Sequence, residues 1–257
     1  MATAAFSVRD VLSGGKPYLF PWLAMPGAAH AGQIARLPFD AVTLDLQHGM
    51  MDASDAVGMI AAIIAAGKPA IVRTLWNDPG LVGQALDMGA SAIIVPMVNS
   101  KAQAEALVQY AKYPPLGSRS WGGYQMVQAA GVTPGEYLQQ ANSQTLAFAM
   151  IETRAALDAV EDIAAVRGLD GLFVGPSDLS IALSGGKGID KTAPHTLEAM
   201  KKVVAAARKN NLFAGAFAGT SDIVNTYYAM GYTFLAAVTD GDLLRGGASK
   251  ILDAIKR

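Results

Sequence analysis

Short apolar runs alternate with amphipathic stretches from one end of the chain to the other. Eight runs have the aliphatic and aromatic character of buried strands: 17–25 (PYLFPWLAM), 41–47 (AVTLDLQ), 69–75 (PAIVRTL), 91–98 (SAIIVPMV), 145–152 (TLAFAMIE), 171–178 (GLFVGPSD), 212–219 (LFAGAFAG) and 233–240 (TFLAAVTD). The stretches between them, such as 53–67, 79–89, 101–112, 154–168 and 195–211, repeat apolar residues at three- and four-residue steps and read as helices. Strands that are apolar on both faces and separated by helices indicate a parallel sheet covered by helices. A doubly wound open sheet gives the same local alternation. The count of eight, with no glycine-rich dinucleotide fingerprint after the first strand, favours a closed (β/α)₈ TIM barrel.

One connection breaks the rhythm. Residues 113–144, beginning YPPLGSRSWGGYQ, make a long stretch between the fourth and fifth strands. Stretches of this length in compact domains are functional or locally folded. Its Arg119, Ser120, Trp121 and Tyr124 are expected to shape a substrate pocket together with Trp22. Neither a linker nor a low-complexity segment interrupts the chain, so residues 1–257 read as one domain.

Composition narrows the classes. Hydrophobic residues make up 52% and charged ones 16%, enough for a large core and few enough charges to suggest apolar surface buried between subunits. The net charge is −1 and the 20 Lys and Arg are dispersed, which leaves no nucleic-acid footprint. With no cysteine, thiolate metal sites, disulfides and Cys nucleophiles are excluded. The N-terminal stretch lacks an apolar signal-peptide core, and no uncharged run reaches the ~18 residues of a membrane helix. The expectation is a soluble cytoplasmic protein.

In α/β barrels chemistry sits at the C-terminal ends of the strands. There the sequence places Asp45-Leu46-Gln47-His48-Gly49, Arg73, Glu152-Thr153-Arg154 and Gly175-Pro176-Ser177-Asp178. Glu152 and Asp178 end adjacent strands, about 5 Å apart, and two such carboxylates repel unless a cation or a shared proton relieves them. Oxygen ligands point to a hard cation, Mg²⁺ or Mn²⁺. Simple helix capping by both acids is the competing reading. Arg73 could hold a substrate oxyanion, or pair structurally with Asp45 or Glu152. His48 stands where a general base would. His30 could approach the rim, whereas His195 reads as surface. The Gly-Pro-Ser-Asp turn could receive a carboxylate, and the Gly215–Gly219 segment could bind phosphate or simply pack tightly.

Taken in order, LDLQHG, VRT, LDMGASAIIVPMV, MIETR and DGLFVGPSDLS resemble the HpcH/HpaI family of class II pyruvate aldolases. The resemblance runs from the first strand to the eighth. It implies a (β/α)₈ barrel assembled as a homo-oligomer, a trimer or hexamer, with a last helix (about 241–256) exchanged between subunits. It implies Glu152 and Asp178 as ligands of Mg²⁺, Mn²⁺ or Co²⁺. Pyruvate would chelate the metal, with its carboxylate on the N–H groups of Ser177 and Asp178 and its enolate oxygen stabilised by Arg73. His48 would be the base, acting through metal-bound water, with Asp45 and Asp87 orienting or charging it. Asp87, however, falls at the end of a helix before the fourth strand, the wrong end for a partner within one barrel, so it serves a neighbouring subunit unless that helix end is misplaced. Gln47 replaces a glutamate common in the family, and Met150 stands where glutamine is frequent.

The implied reaction is reversible aldol cleavage of a 4-hydroxy-2-oxoacid to pyruvate and an aldehyde through a metal-stabilised pyruvate enolate. Oxaloacetate decarboxylation would use the same enolate. A citryl- or malyl-CoA lyase would want a basic surface for the CoA phosphates, which the sequence lacks. A non-catalytic binding barrel is at odds with the intact polar set. No lysine falls at a strand's C-terminal end, which argues against Schiff-base chemistry.

Overall fold

Alternate residues of a strand point to opposite faces of the sheet, and this parity organises the molecule. Along residues 42–45, Val42 and Leu44 pack outward against helices while Thr43 and Asp45 face inward; along 70–73, Ala70 and Val72 go outward and Ile71 and Arg73 inward. The computed structural model describes residues 8–76 and 78–255. Its strands are β1 (Tyr18–Leu23), β2 (Val42–Asp45), β3 (Ala70–Arg73), β4 (Ala90–Val95), β5 (Leu146–Ile151), β6 (Gly171–Val174), β7 (Phe213–Phe217) and β8 (Phe234–Thr239). They close in sequence order into an all-parallel barrel, β8 pairing with β1. Each of the eight apolar runs contains one strand, so the closed barrel expected from their count is the fold.

The interior is filled by rings rather than left as a pore. Phe148 stacks on Phe234 at 4.5 Å between centroids, Phe20 lies 4.4 Å from the same ring, and Tyr18 closes the layer below. Side chains of α1 (Val8–Ser13) plug the N-terminal end, where Val8 and Leu12 join this inner cluster. Outside the sheet lie α2 (Ala28–Ala35), α3 (Ala53–Ala65), α4 (Pro79–Met88) and α5 (Lys101–Ala111), whose apolar faces bury Ile60, Ile63, Leu86 and Leu107. Local chemistry fixes their ends: Asp52 and Asp55 form a capping box on α3, and Asp78 with Pro79 starts α4.

The long 113–144 stretch is locally folded, as expected, into α6 (Tyr124–Ala130) and α7 (Pro134–Gln144). Its placement corrects the expectation that it shapes the pocket of its own barrel. A segment between a helix and the following strand returns to the N-terminal face, opposite the rim where chemistry occurs. There it builds a small core of Tyr113, Met126, Tyr137 and Ala141, against which Trp121 packs. Lys112 anchors its start, giving its buried amine to Asp170 at 2.6 Å and to the carbonyls of Asn142 and Thr145.

The stretch 154–168 is two short helices, α8 (Arg154–Asp158) and α9 (Val160–Ala164), broken at Ala159. The remaining helices are α10 (Pro176–Ser184), α11 (Pro194–Lys209), α12 (Ser221–Met230) and α13 (Asp240–Ala254). Beyond Asp240 only Leu243 of α13 packs, partly buried, on the core, and Leu244, Ile251 and Leu252 are exposed. Among the described residues no helix is long and apolar enough to cross a membrane. Residues 1–7, which begin the N-terminal stretch read above, and residue 256, the end of the predicted last helix, lie outside the described residues.

Candidate active site

The inward parity positions of several strands converge at the C-terminal rim. A cavity of about 310 Å³ opens there, lined by Trp22, Asp45, His48, Arg73, Met150, Gly175, Ser177, Asp178, Phe217 and Thr239 among others. Asp45 and Arg73 occupy paired positions on β2 and β3. Their side chains form a two-point ion pair, Arg73 Nε to Oδ1 at 2.8 Å and Nη2 to Oδ2 at 2.5 Å. The Asp45 carboxylate also accepts the indole N–H of Trp22 at 3.0 Å and the backbone N–H groups of Gln47 and His48. Burial works to raise its pKa, but the Arg73 hydrogen bond and charge, helped by Trp22, hold it below the usual carboxylate range.

This geometry explains the sequence Asp-x-x-His-Gly. The carboxylate of Asp45 organises the turn that follows its own strand. The chain then doubles back so tightly that a Cβ on Gly49 would stand 2.2 Å from the Asp45 carbonyl oxygen, so only glycine fits. His48 rides on this turn with an exposed ring at the cavity mouth. Asp45 therefore supports His48 through its backbone, not through its imidazole. The structural pairing of Arg73 with Asp45 is realised, and Arg73 still faces the cavity. Its Nη1 has no acceptor among the described residues. The guanidinium carbon sits 5.0 Å from the Trp22 ring centroid.

Glu152 follows β5 and is 3% exposed. One oxygen accepts the N–H of Met97 at 2.7 Å, and Met97 adopts a left-handed φ of 57°. The other oxygen lies against Gly175, where a Cβ would come within 2.6 Å of it. Burial, and secondarily the charge of Asp178, push the Glu152 carboxyl up to about 7, against the Met97 hydrogen bond and Arg73. Asp178 is exposed in the first turn of α10. Pro176 has no N–H, and the Leu179 N–H bonds to the Gly175 carbonyl, which leaves the N–H groups of Ser177 and Asp178 outside the helix ladder. Both helix-capping alternatives are thereby weakened: Glu152 precedes Thr153, which caps α8, and Gly175, not Asp178, occupies the cap of α10.

Two predicted residues do not join this set within the chain. Asp87 ends α4 and Trp121 lies between α5 and α6, both at the N-terminal side. Asp87 pairs there with Arg119 at 2.5 Å, and Trp121 packs edge-on to Tyr124 and Tyr137. His30 reaches the rim region by bonding Asp240 at 3.0 Å, while Asp240 itself accepts the N–H groups of Ala24 and Met25. His195 is exposed, as read. Phe217 and Thr239 were not anticipated; the inward parity of β7 carries the signal for Phe217. The two departures differ in character: Met150 is a buried apolar wall, whereas the Gln47 side-chain oxygen is buried with no hydrogen-bond donor among the described residues. Gly215 faces Phe173 and Phe234, which tight packing explains.

The sequence profile described as HpcH/HpaI aldolase/citrate lyase matches residues 19–246. A hydroxypyruvate/pyruvate aldolase of Rhizorhabdus wittichii is 36% identical over 245 residues, covering 95% of this chain and 96% of its own. A 2-dehydro-3,6-dideoxy-6-sulfogluconate aldolase of Pseudomonas putida is 34% identical over 236 residues, with 91% of each chain covered. The crystal structure of an HpcH/HpaI aldolase/citrate lyase family protein from Burkholderia cenocepacia superposes with a TM-score of 0.86 at 32% identity, covering 96% of this chain and 98% of that one. The barrel, the order of its rim motifs and these near full-length matches agree: the chain belongs to the HpcH/HpaI aldolase/citrate lyase family.

Proposed function

We propose that this carbon–carbon lyase cleaves a 4-hydroxy-2-oxoacid reversibly to pyruvate and an aldehyde, with a divalent cation held by Glu152 and Asp178. The observation that carries the reading is Glu152. It is a carboxylate whose second oxygen has no hydrogen bond among the described residues and is turned to a side-chain-free glycine, and its pKa is raised first by burial and then by the charge of Asp178. A cation relieves both the burial and the repulsion. Among the described residues no group of three or more His, Asp or Glu converges, so Glu152 and Asp178 would be the protein's share of the donor set, with room left for other oxygen ligands. That donor set suits Mg²⁺, Mn²⁺ or Co²⁺ and keeps positions open for an oxoacid. When bound, the cation acts as a Lewis acid on the keto group.

The chain's own residues divide the remaining work. The N–H groups of Ser177 and Asp178 receive the pyruvate carboxylate. The unpaired Nη1 of Arg73 donates to the oxygen that becomes negative when a methyl proton leaves. Asp45 holds that guanidinium by two hydrogen bonds, and Trp22 packs beside it. His48 takes the methyl proton at the cavity mouth and returns a proton to the aldehyde oxygen on addition. Trp22, Met150 and Phe217 exclude water around the enolate carbon. Asp87 and Trp121 face away from this cavity, and they act on the rim of a neighbouring subunit in a homo-oligomer, a trimer or hexamer whose α13 helices exchange. Soluble substrates of this kind suit a cytoplasmic enzyme.

The test is direct. Protein supplied with Mg²⁺ or Mn²⁺ is incubated with a panel of 4-hydroxy-2-oxoacids, and pyruvate release is followed by a coupled assay. Cleavage of at least one member, abolished by EDTA and restored by the cation, is expected. No pyruvate from any member would refute the aldolase reading.

A further inference from the structure

Behind the Phe217 wall of the active-site cavity lies a second cleft of about 460 Å³. It is bounded by the loop before α11, by residues 217–220 after β7 and by the β8–α13 junction. Phe217 and Thr239 line both spaces, so the two meet at this wall. One face of the Phe217 neighbourhood is Trp22, edge-on at 5.4 Å; another is Lys191, whose amine sits 4.6 Å from the Phe217 centroid.

The polar groups of this cleft are unequally satisfied. Asp190 already accepts the N–H and hydroxyl of Thr192 at 2.8 and 2.9 Å. Asp242 already accepts the Thr239 hydroxyl and an Arg245 N–H, each at 2.6 Å. Lys191 is different. Its carbonyl is anchored by the Tyr227 hydroxyl, yet its amine has no hydrogen-bond or ion-pair partner among the described residues. Burial lowers the amine's pKa below the usual lysine range, and Asp242 offsets that only in part. The Thr220 hydroxyl accepts one bond from Ile223 N–H, and its own proton has no acceptor among the described residues. The unspent groups are therefore donors, headed by one half-buried cation. Loops after strands seven and eight of such barrels recurrently bind anions.

We propose that this cleft is a subsite for an anionic group at the far end of the acceptor aldehyde, recognised by Lys191. The proposal rests on the aldolase reading for the identity of the ligand. The aldehyde carbon would meet the enolate in the first cavity, and its chain would pass the edge of Phe217. A carboxylate or phosphate would then complete the bonds that Lys191 and Thr220 lack. An uncharged aldehyde of equal length leaves those donors unpaired, so the enzyme discriminates by charge.

The test pairs matched acceptors with pyruvate and cation: succinic semialdehyde against butanal for a carboxylate, and glyceraldehyde 3-phosphate against glyceraldehyde for a phosphate. The KM of the charged member should lie about tenfold below that of its partner, about 1.4 kcal/mol of discrimination. In Lys191→Gln the ratio should fall toward one, and Lys191→Arg should keep it. Equal KM values in the wild type, or a Lys191→Gln change that moves both members together, overturns the subsite. Binding is read separately by titrating succinate and inorganic phosphate into metal-free protein under ligand-observed NMR. Affinity for at least one of them should drop about tenfold in Lys191→Gln. If pyruvate chemistry is absent altogether, the aldolase reading falls, and this titration alone decides the cleft: anion binding that is undetectable, or equal in Lys191→Gln, overturns it.

Discussion

Arg73 unites two roles that compete when only the sequence is seen. It is paired with Asp45 and it still presents a free N–H to the cavity. Removing it leaves a buried carboxylate uncompensated, so Arg73→Ala should lose about 3–5 kcal/mol of stability by thermal or urea unfolding. Arg73→Lys keeps the charge but not the fork. It should retain most of the stability while kcat/KM for cleavage drops about a hundred- to a thousandfold, with cation affinity changing far less. Turnover equal to wild type in Arg73→Lys would remove the role given to the guanidinium. The same pair sets a pH dependence. The unfolded Asp45 carboxyl titrates near 3.8 and the folded one below it. Ionisation thus favours folding; the contribution is complete above that ordinary value and disappears as pH falls through the folded one. Urea midpoints should fall on acidification below about pH 4, and Asp45→Asn should flatten that limb. An unaltered acid limb in the variant would mean Asp45 does not drive it. Parity and strand-end position made Asp45, Arg73 and Glu152 readable from the sequence. The N–H of Met97 and the unpaired Gln47 oxygen were not, because a backbone donor and a missing partner leave no mark on residue type.

Among the elements, the strands were legible because each must be apolar on both faces to sit between the barrel core and the helix layer. Helix ends are fixed by local capping chemistry at Asp52 and Thr133. The 154–168 stretch carries continuous helical periodicity, and its break at Ala159 is invisible in the sequence because no proline or glycine marks the bend. The 113–144 segment shows the opposite failure. Its aromatic and basic residues look like pocket chemistry, but the direction of the chain after α5 sends them to the far face. The α13 helix is amphipathic with no partner surface beneath Leu244, Ile251 and Leu252. If it packs on another subunit, Leu244→Asp with Ile251→Asp should shift sedimentation toward smaller species while far-UV circular dichroism is retained. An unchanged sedimentation coefficient would contradict helix exchange.

For the whole molecule, the barrel brings together what the sequence separates by more than a hundred residues: the Asp45–His48 turn, Arg73, Glu152 and the Ser177–Asp178 helix start. None of these motifs specifies chemistry alone. Asp45, His48, Arg73, Ser177 and Asp178 line one cavity with apolar walls of Trp22, Met150 and Phe217, and Glu152 lies against its Gly175, an arrangement that suits the proposed enolate formation. In the proposed assembly Asp87, half-buried and paired with Arg119 on the opposite side, would complete a neighbouring site. In the proposed reaction Glu152 and Asp178 would hold the cation, and pyruvate would lose a methyl proton beside them. Deuterium exchange into the pyruvate methyl group, followed by ¹H NMR in D₂O with no aldehyde present, tests it most directly. Exchange is expected with Mg²⁺ or Mn²⁺, none after EDTA, and none in a folded Glu152→Ala variant under either condition. Exchange that survives EDTA, or that persists in Glu152→Ala, would contradict it.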